Sequence, residues 1–442
     1  MNWQQLLSST RPGTRDTGGH ITRSEFEKDY DRITFSTPFR SLQDKTQVFP
    51  LPEEDFVHNR LTHSLEVASV GRSLGKLAGE QVIAQNPELK EIVGPGDIGA
   101  IVSAAALAHD VGNPPFGHSG EGAISEFFKQ HPVAVGLKTK LGLEEWTDLI
   151  NFEGNAQGFR LLNQKHQGLQ LTSATLGAFS KYPRQSLLSD EHDKERKSQK
   201  KFGYFQSEKH IFQDLAKELG LVELSEGRAW VRHPLTFLVE AADDICYHII
   251  DLEDGCTLGL VSFEETVDLI KGIIADRFDQ EKLDALPTMN EKLAILRALA
   301  INELIAQCVV AFNANEEDIL EGNFDRALTE VIPATGQLNK ISEVSIRKIY
   351  RARIVFEKEV AGFEIMSGLL EVILGAVVRR YNNFATAKDK TVIRLLPETI
   401  QQSLKGGSLY QNCRTVLDFI AGMTDSRALT LFRKLKGMSM PA

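Results

Sequence analysis

The chain has 442 residues, 42% hydrophobic and 25% charged, enough apolar material for one large core or two ordinary ones. Its formal net charge of −10 argues against duplex-DNA binding by the whole surface, while leaving room for a local basic pocket that takes a small anion. Cys246, Cys256, Cys308 and Cys413 lack C-x-x-C spacing and indicate neither a zinc ribbon nor a disulfide framework. They read as reduced thiols of a cytoplasmic protein. The opening Met-Asn-Trp-Gln-Gln leads into a polar, Arg-rich stretch and not a signal peptide. No apolar run is expected to reach the roughly 18 residues of a membrane span.

In chain order, residues 8–32 are rich in Ser, Thr, Arg, Asp and Gly and are predicted to form an extended or mobile arm. Helical patterning begins near Pro38. Leu61, Leu65, Val67, Ala68, Val70 and Leu74 predict a helix over 60–76. Asp97 is the expected N-cap of an apolar helix running to Asp110, ended by Gly112 and Pro114-Pro115. Another helix is expected to start at Ser119 or a neighbour. The charge-dense stretch 189–209 is predicted to be a loop. His233-Pro234 precedes a helix over 235–254, a linker is expected over 313–323, and a long helix over 354–381. The best strand candidate is 390–396. The predicted fold class is therefore mainly α, with few short strands, divided into an N-terminal arm (1–32), a catalytic domain (33–312) and a C-terminal mainly helical extension (313–442).

Two glycine motifs carry no function. Gly94-Pro-Gly96-Asp-Ile-Gly99 fits a dinucleotide fingerprint, but no strand precedes it and Pro95 lacks the backbone donor a phosphate cradle needs. Gly71-Arg-Ser-Leu-Gly75-Lys76 is one residue short of a phosphate loop and lies within a helical pattern.

The densest chemistry is His109-Asp110-Val-Gly-Asn-Pro-Pro-Phe-Gly-His118-Ser-Gly-Glu121, delivered by an apolar helix. A catalytic divalent metal needs several N and O ligands with positions left open. His63, His109, Asp110 and Asp243 can supply them, from one helix, the end of a second, and a third. Adjacent helical residues point about 100° apart, so a His-Asp pair can share one ion only at a helix end or wall. Imidazole and carboxylate together suit Mg, Mn, Ni, Fe or Zn.

Arg60-Leu-Thr-His63-Ser-Leu-Glu-Val, His109-Asp110 and Glu240-Ala-Ala-Asp243-Asp244 occur in the order typical of HD-domain metallohydrolases, which the chain resembles. Further stretches are similar to bacterial deoxyguanosine triphosphate triphosphohydrolases: 42–50, 151–157, 200–203, 241–254 and the C-terminal Ile420-Ala-Gly-Met-Thr-Asp425. The resemblance implies an HD-type helical core and cleavage of a deoxynucleoside triphosphate, dGTP or another dNTP, into deoxynucleoside and inorganic triphosphate. It implies His63, His109, Asp110 and Asp243 as metal ligands, and His118 as acid/base with Glu121 as its partner. It implies Arg60, Lys181 and Lys201 as phosphate-binding cations, and Gln47 near the sugar and base. Tyr247 would fill the space of a 2′-hydroxyl and Asp251 would accept from the 3′-hydroxyl; Glu359 would join a base-recognition wall. Homo-oligomers and single-stranded DNA as a regulator are further implications.

The residues agree. Glu121 lies three positions after His118, within reach once a helix starts there, and a carboxylate fixes a His tautomer and raises its basicity. Asp243, Tyr247 and Asp251, four apart, share one helix face. Where relatives carry Arg-Arg-Leu-Gln, this chain has Arg40-Ser41-Leu42-Gln43, which removes a cation near the pocket entrance. Two other readings stay open: an HD phosphohydrolase of nucleoside monophosphates, cyclic dinucleotides or alarmones, and a non-enzymatic nucleic-acid binder. The second rests on basic residues over 194–209 interleaved with Phe202, Tyr204 and Phe205.

Overall fold

Capping chemistry and apolar spacing set the helices of this protein, seen in a computed structural model that describes residues 1–12, 23–48, 58–164, 169–188 and 196–438. Helix α1 (Glu25–Thr34) starts at a Ser24/Glu27 capping box and buries Phe26 and Ile33. It lies on the central helices, and its buried Asp29 accepts from the Thr172 backbone N–H at 2.9 Å and from the Thr172 hydroxyl at 2.6 Å. The expected extended arm is thus partly a docked helix, because its capping box and apolar stripe outweigh its polar composition; residues 13–22 lie outside the described residues.

Helix α2 (Arg60–Gln85) begins at an Asn59 cap, and helix α3 (Pro95–Ala108) runs beside it. Both rejected glycine motifs fall at this helix pair. Small residues let the two backbones approach: a Cβ on Gly75 would lie 2.9 Å from the Ile98 carbonyl oxygen, and one on Gly99 would lie 3.0 Å from that of Arg72. The N-cap of α3 is Gly94; Asp97 sits three residues inside and accepts from the Gly94 N–H at 2.9 Å. The expected Asp97 cap is corrected accordingly, since Pro95 takes the first helical position.

Helix α4 (His118–Gln130) follows the turn after α3, and α5 (Ser173–Phe179) lies near the chain's midpoint. Strands β1 (Glu223–Ser225) and β2 (Ala229–Trp230) form a short antiparallel pair, the only sheet among the described residues. Helix α6 (Pro234–Thr257) is buried along most of its length. Helices α7 (Met289–Ala314), α8 (Arg353–Tyr381), α9 (Ala387–Arg394), α10 (Leu409–Ala421) and α11 (Asp425–Leu435) complete the helices that bear on the site.

Two sequence expectations fail here. The strand expected over 390–396 is α9, started by a Thr386/Asp389 capping box and turned so that Val392 and Ile393 pack inward; local capping overrides β-branched composition. The linker expected over 313–323 is the end of α7 followed by a helix over Glu316–Glu321, with Ile319 fully buried and left-handed Gly322 ending it. Of the loop expected over 189–209, residues 189–195 lie outside the described residues. Phe202, Tyr204 and Phe205 are buried in the core, so these rings present no stacking surface to a nucleic acid.

The buried apolar side chains form two clusters. One joins α2, α3, α6 and α7; the other joins α4 with α8, α10 and α11. Each fully buried Leu, Ile or Phe contributes about 1.5–3 kcal/mol. Helices α7 and α8 are long and apolar enough, by length and composition, to cross a membrane, contrary to the sequence expectation. Each places apolar side chains in a cluster, among them Leu296 and Leu304 of α7 and Leu369 and Leu370 of α8. All four cysteines are free and buried.

Candidate metal centre and anion-binding cavity

Helix α3 is almost wholly apolar, so its burial carries the residues after it into the interior. His109 caps the helix, and Gly112 turns the chain with φ +110°, where a Cβ would lie 2.2 Å from the Gly158 nitrogen. His63, on the first turns of α2, and Asp243, midway along α6, reach the same point. His63 Nε2 lies 3.2 Å from Asp243 Oδ1, and His109 Nε2 lies 3.6 Å from the same oxygen and 3.7 Å from Asp110 Oδ2. Ligand atoms of His63, His109 and Asp110 all lie within 4.8 Å of one another.

These residues fit a divalent cation. Asp110 Oδ2 is buried with no hydrogen-bond partner, while Oδ1 accepts from Arg60 Nη1 and from Asn113 Nδ2, at 2.6 and 2.5 Å. Such an oxygen is costly unless an ion satisfies it. His109 Nδ1 lies 2.7 Å from the Ala106 carbonyl, which can only accept; Nδ1 therefore carries the proton and Nε2 is free to ligate. Burial favours the neutral acid in Asp243, but His109, His63 and Lys181 hold its carboxyl far below the usual range. Arg60 does the same for Asp110 against its burial. The neighbouring Asp244 points away, accepting from Thr329 Oγ1 at 2.6 Å, as the 100° helical step requires.

His109, Asp110 and Asp243 of this cluster line a cavity of about 540 Å³, together with His118, Glu121 and the cations Arg60, Lys181, Lys201 and Lys358, while buried His63 does not line it. His118 opens α4. Its Nδ1 lies 2.8 Å from Glu121 Oε2, and its side chain is 84% exposed, so Nε2 is available to the cavity. Glu121 is buried and fixed at Oε1 by the Gly154 N–H at 2.7 Å. Burial opposes its charge, but His118 and Lys201 keep its carboxyl below the ordinary range.

Lys201 Nζ lies 3.3 Å from Glu153 Oε1, and Lys181 Nζ lies 3.4 Å from Glu240 Oε1. Glu240 Oε2 in turn accepts from buried Arg232 at 2.8 Å, and these two cations outweigh burial and hold its carboxyl at about 2. Arg60 binds Asp110 through Nη1 and also lines the cavity, so it bridges the metal cluster and the space above it.

Gln47 lines the cavity with its Oε1 buried and unpartnered. Tyr247 also lines it, stacked on Tyr350 with ring centroids 5.6 Å apart. Asp251 does not line it. The Tyr350 hydroxyl donates to Asp251 Oδ2 at 2.6 Å, and burial lifts that carboxyl to about 7. Glu359 is on the wall and exposed.

The sequence reading missed Asn113, Glu153, Tyr350 and Lys358. Asn113 and Glu153 stood inside motifs already quoted, so their signal was present; Tyr350 and Lys358 come from the far side of the chain in segments without a motif.

An HD domain matches residues 60–151, and a phosphohydrolase-associated domain matches residues 334–434. The helical fold, the His-His-Asp cluster and the HD match define an HD phosphohydrolase, a hydrolase class whose domains bind divalent metals. A deoxyguanosinetriphosphate triphosphohydrolase-like protein of Synechocystis sp. is 42% identical over 450 residues, and one of Pseudomonas aeruginosa is 40% identical over 453, each covering 100% of both chains. A deoxyguanosinetriphosphate triphosphohydrolase of Enterobacter sp. is 30% identical over 98% of this chain and 97% of its own. The chain belongs to the deoxyguanosinetriphosphate triphosphohydrolase family.

Proposed function

We propose that the protein hydrolyses dGTP, and other dNTPs to a degree set by the cavity wall, to deoxynucleoside and inorganic triphosphate. The observation that carries this reading is one cavity containing a metal-ligand cluster, a buttressed His–Glu pair and several cations. A divalent ion, Mg, Mn, Ni, Fe or Zn, held by His63, His109, Asp110 and Asp243, would supply positive charge at the α-phosphate and a more acidic water. Arg60, Lys181 and Lys201 neutralise and orient the triphosphate, Arg by forked hydrogen bonds and Lys as point charges.

Water attacks the α-phosphorus in line with the 5′-oxygen. His118 gives a proton from Nε2 to that departing oxygen, the attacking water releases its own proton to solvent, and Glu121 holds the ring in place. Tyr247, backed by Tyr350, fills the space of a 2′-hydroxyl and disfavours ribonucleotides. Gln47 and Glu359 face the sugar and base. Asp251 acts on the 3′-hydroxyl side through Tyr350.

The working form is a homo-oligomer in this proposal, supported by apolar Ile295 and Val310 left open on α7. Single-stranded DNA is a regulator whose binding should weaken with salt.

The deciding experiment incubates the protein with each of the four dNTPs and GTP at defined Mg or Mn and identifies the phosphate product by ³¹P NMR. Triphosphate from dGTP, with GTP far slower, is the expected result. Release of phosphate or pyrophosphate would move the protein to another HD phosphohydrolase activity, and equal turnover of GTP would remove the role of Tyr247.

A further inference from the structure

The turn between the metal-ligand pair and His118 is held from outside by the corner between α10 and α11. Asp425 opens α11 and is 3% exposed. Its Oδ1 accepts from the Phe116 N–H at 2.9 Å. Its Oδ2 accepts from the Thr46 N–H at 3.2 Å and the Thr46 hydroxyl at 2.8 Å, and lies 3.3 Å from Lys358 Nζ. One buried carboxylate therefore joins the His118 turn, the Thr46 segment and the wall helix α8.

The adjacent Lys45 repeats the pattern, its Nζ donating to the carbonyls of Asn113 at 2.6 Å and Ala421 at 2.8 Å. The held turn has an uncommon backbone. Phe116 has φ +65° and Gly117 φ +58°, and a side-chain-bearing residue rarely adopts the first of these without support from its surroundings. Helix α8 closes the other side, where a Cβ on Gly362 would lie 2.9 Å from the Phe116 Cβ. His118 follows two residues after Phe116, so the orientation of its imidazole depends on this turn.

We propose that Asp425 is a positioning residue for His118: it fixes the Phe116–Gly117 turn and thereby the separation between the metal-ligand half and the acid/base half of the site. The proposal rests on the triphosphohydrolase reading for its effect on turnover, but not for its effect on the His118 ring. Asp425→Asn keeps the size of the side chain while replacing one acceptor oxygen with a donor that the Thr46 backbone N–H and the Lys358 ammonium cannot use. A displacement of about 1 Å at a proton donor costs on the order of a hundredfold in rate.

The test uses the full chain with ¹³C-labelled histidine, the His118 resonance being identified by its loss in His118→Gln. In Asp425→Asn that resonance should move, kcat for triphosphate release from dGTP should fall about 30–100-fold, and KM should change less than threefold. Mn²⁺ affinity, measured by titration with the metal alone, should stay within threefold of wild type, because the ligand set is untouched. An unmoved His118 resonance, or a kcat within threefold of wild type, overturns the proposal. Inactivity of the wild type would defeat the triphosphohydrolase reading, and the resonance would then decide this one alone. Should Asp425→Asn fail to fold, Thr46→Val, which deletes only the hydroxyl bond to Asp425, is read the same way with a smaller expected shift.

Discussion

At the residue scale the central unit is His118 with Glu121, one ring nitrogen committed to a buried carboxylate and the other left to the cavity. Replacing His118 with Gln should lower kcat by about 10²–10⁴ with little change in KM, the usual contribution of a positioned acid or base. Glu121→Gln should have a smaller effect, since the ring remains while its partner loses charge. Steady-state kinetics of triphosphate release check both. The spacing of this pair was legible in the sequence because both residues belong to one helical turn. The same holds for His63, His109, Asp110 and Asp243, whose chemistry is unusual enough to stand out from a core helix. Tyr350 was not legible. A tyrosine between two helices has no local mark, and its contacts with Tyr247 and Asp251 arise from packing between segments about a hundred positions apart. Asp251 lies behind that tyrosine for the same reason: helical spacing gives its face but not what covers it.

At the element scale, α2 and α6 are joined where α2 begins. His58 Nδ1 lies 2.8 Å from Asp254 Oδ1, and its Nε2 lies 3.1 Å from Glu66 Oε1. Burial pulls the His58 imidazole down, but these two carboxylates outweigh it and lift it to about 10. The folded state therefore keeps a proton that the unfolded chain gives up near pH 6.5. This contribution to stability is complete below about pH 6.5 and is lost as pH rises through about 10. Wild type should exceed His58→Gln in unfolding free energy by on the order of 2 kcal/mol at pH 6, discounted for the partly exposed Glu66. The difference should shrink toward zero above pH 10. Urea unfolding of both proteins at pH 6 and pH 10.5 measures it, and a pH-independent difference would contradict the pairing. Helix existence was largely readable from apolar spacing at this scale. The failures at α9 and at 313–323 came where capping and burial by distant helices decided the local structure. The Asp97 error was a matter of three residues, settled by Pro95.

At the scale of the whole molecule, the proposed ligands come from α2, the end of α3 and α6, so the set exists only when these helices are packed together. Metal binding should therefore stabilise the fold. At a free Mn²⁺ concentration about a hundredfold above its Kd the gain is about 2.7 kcal/mol, equivalent to roughly 3 °C in melting temperature for a chain of this size. Removing the metal with a chelator should lower the melting temperature by that amount in wild type and leave Asp110→Ala unchanged. Scanning calorimetry with and without chelator makes the comparison, and equal shifts in both proteins would remove Asp110 from the ligand set.

Tyr350, Lys358 and Glu359 reach the cavity from the chain's last hundred residues, whereas His63, His109 and Asp110 stand in its first quarter. Part of the wall and part of the metal cluster thus come from opposite ends of the sequence. Under the proposed reaction, substitutions at Tyr350 or Glu359 would reshape the wall without touching His63, His109 or Asp110.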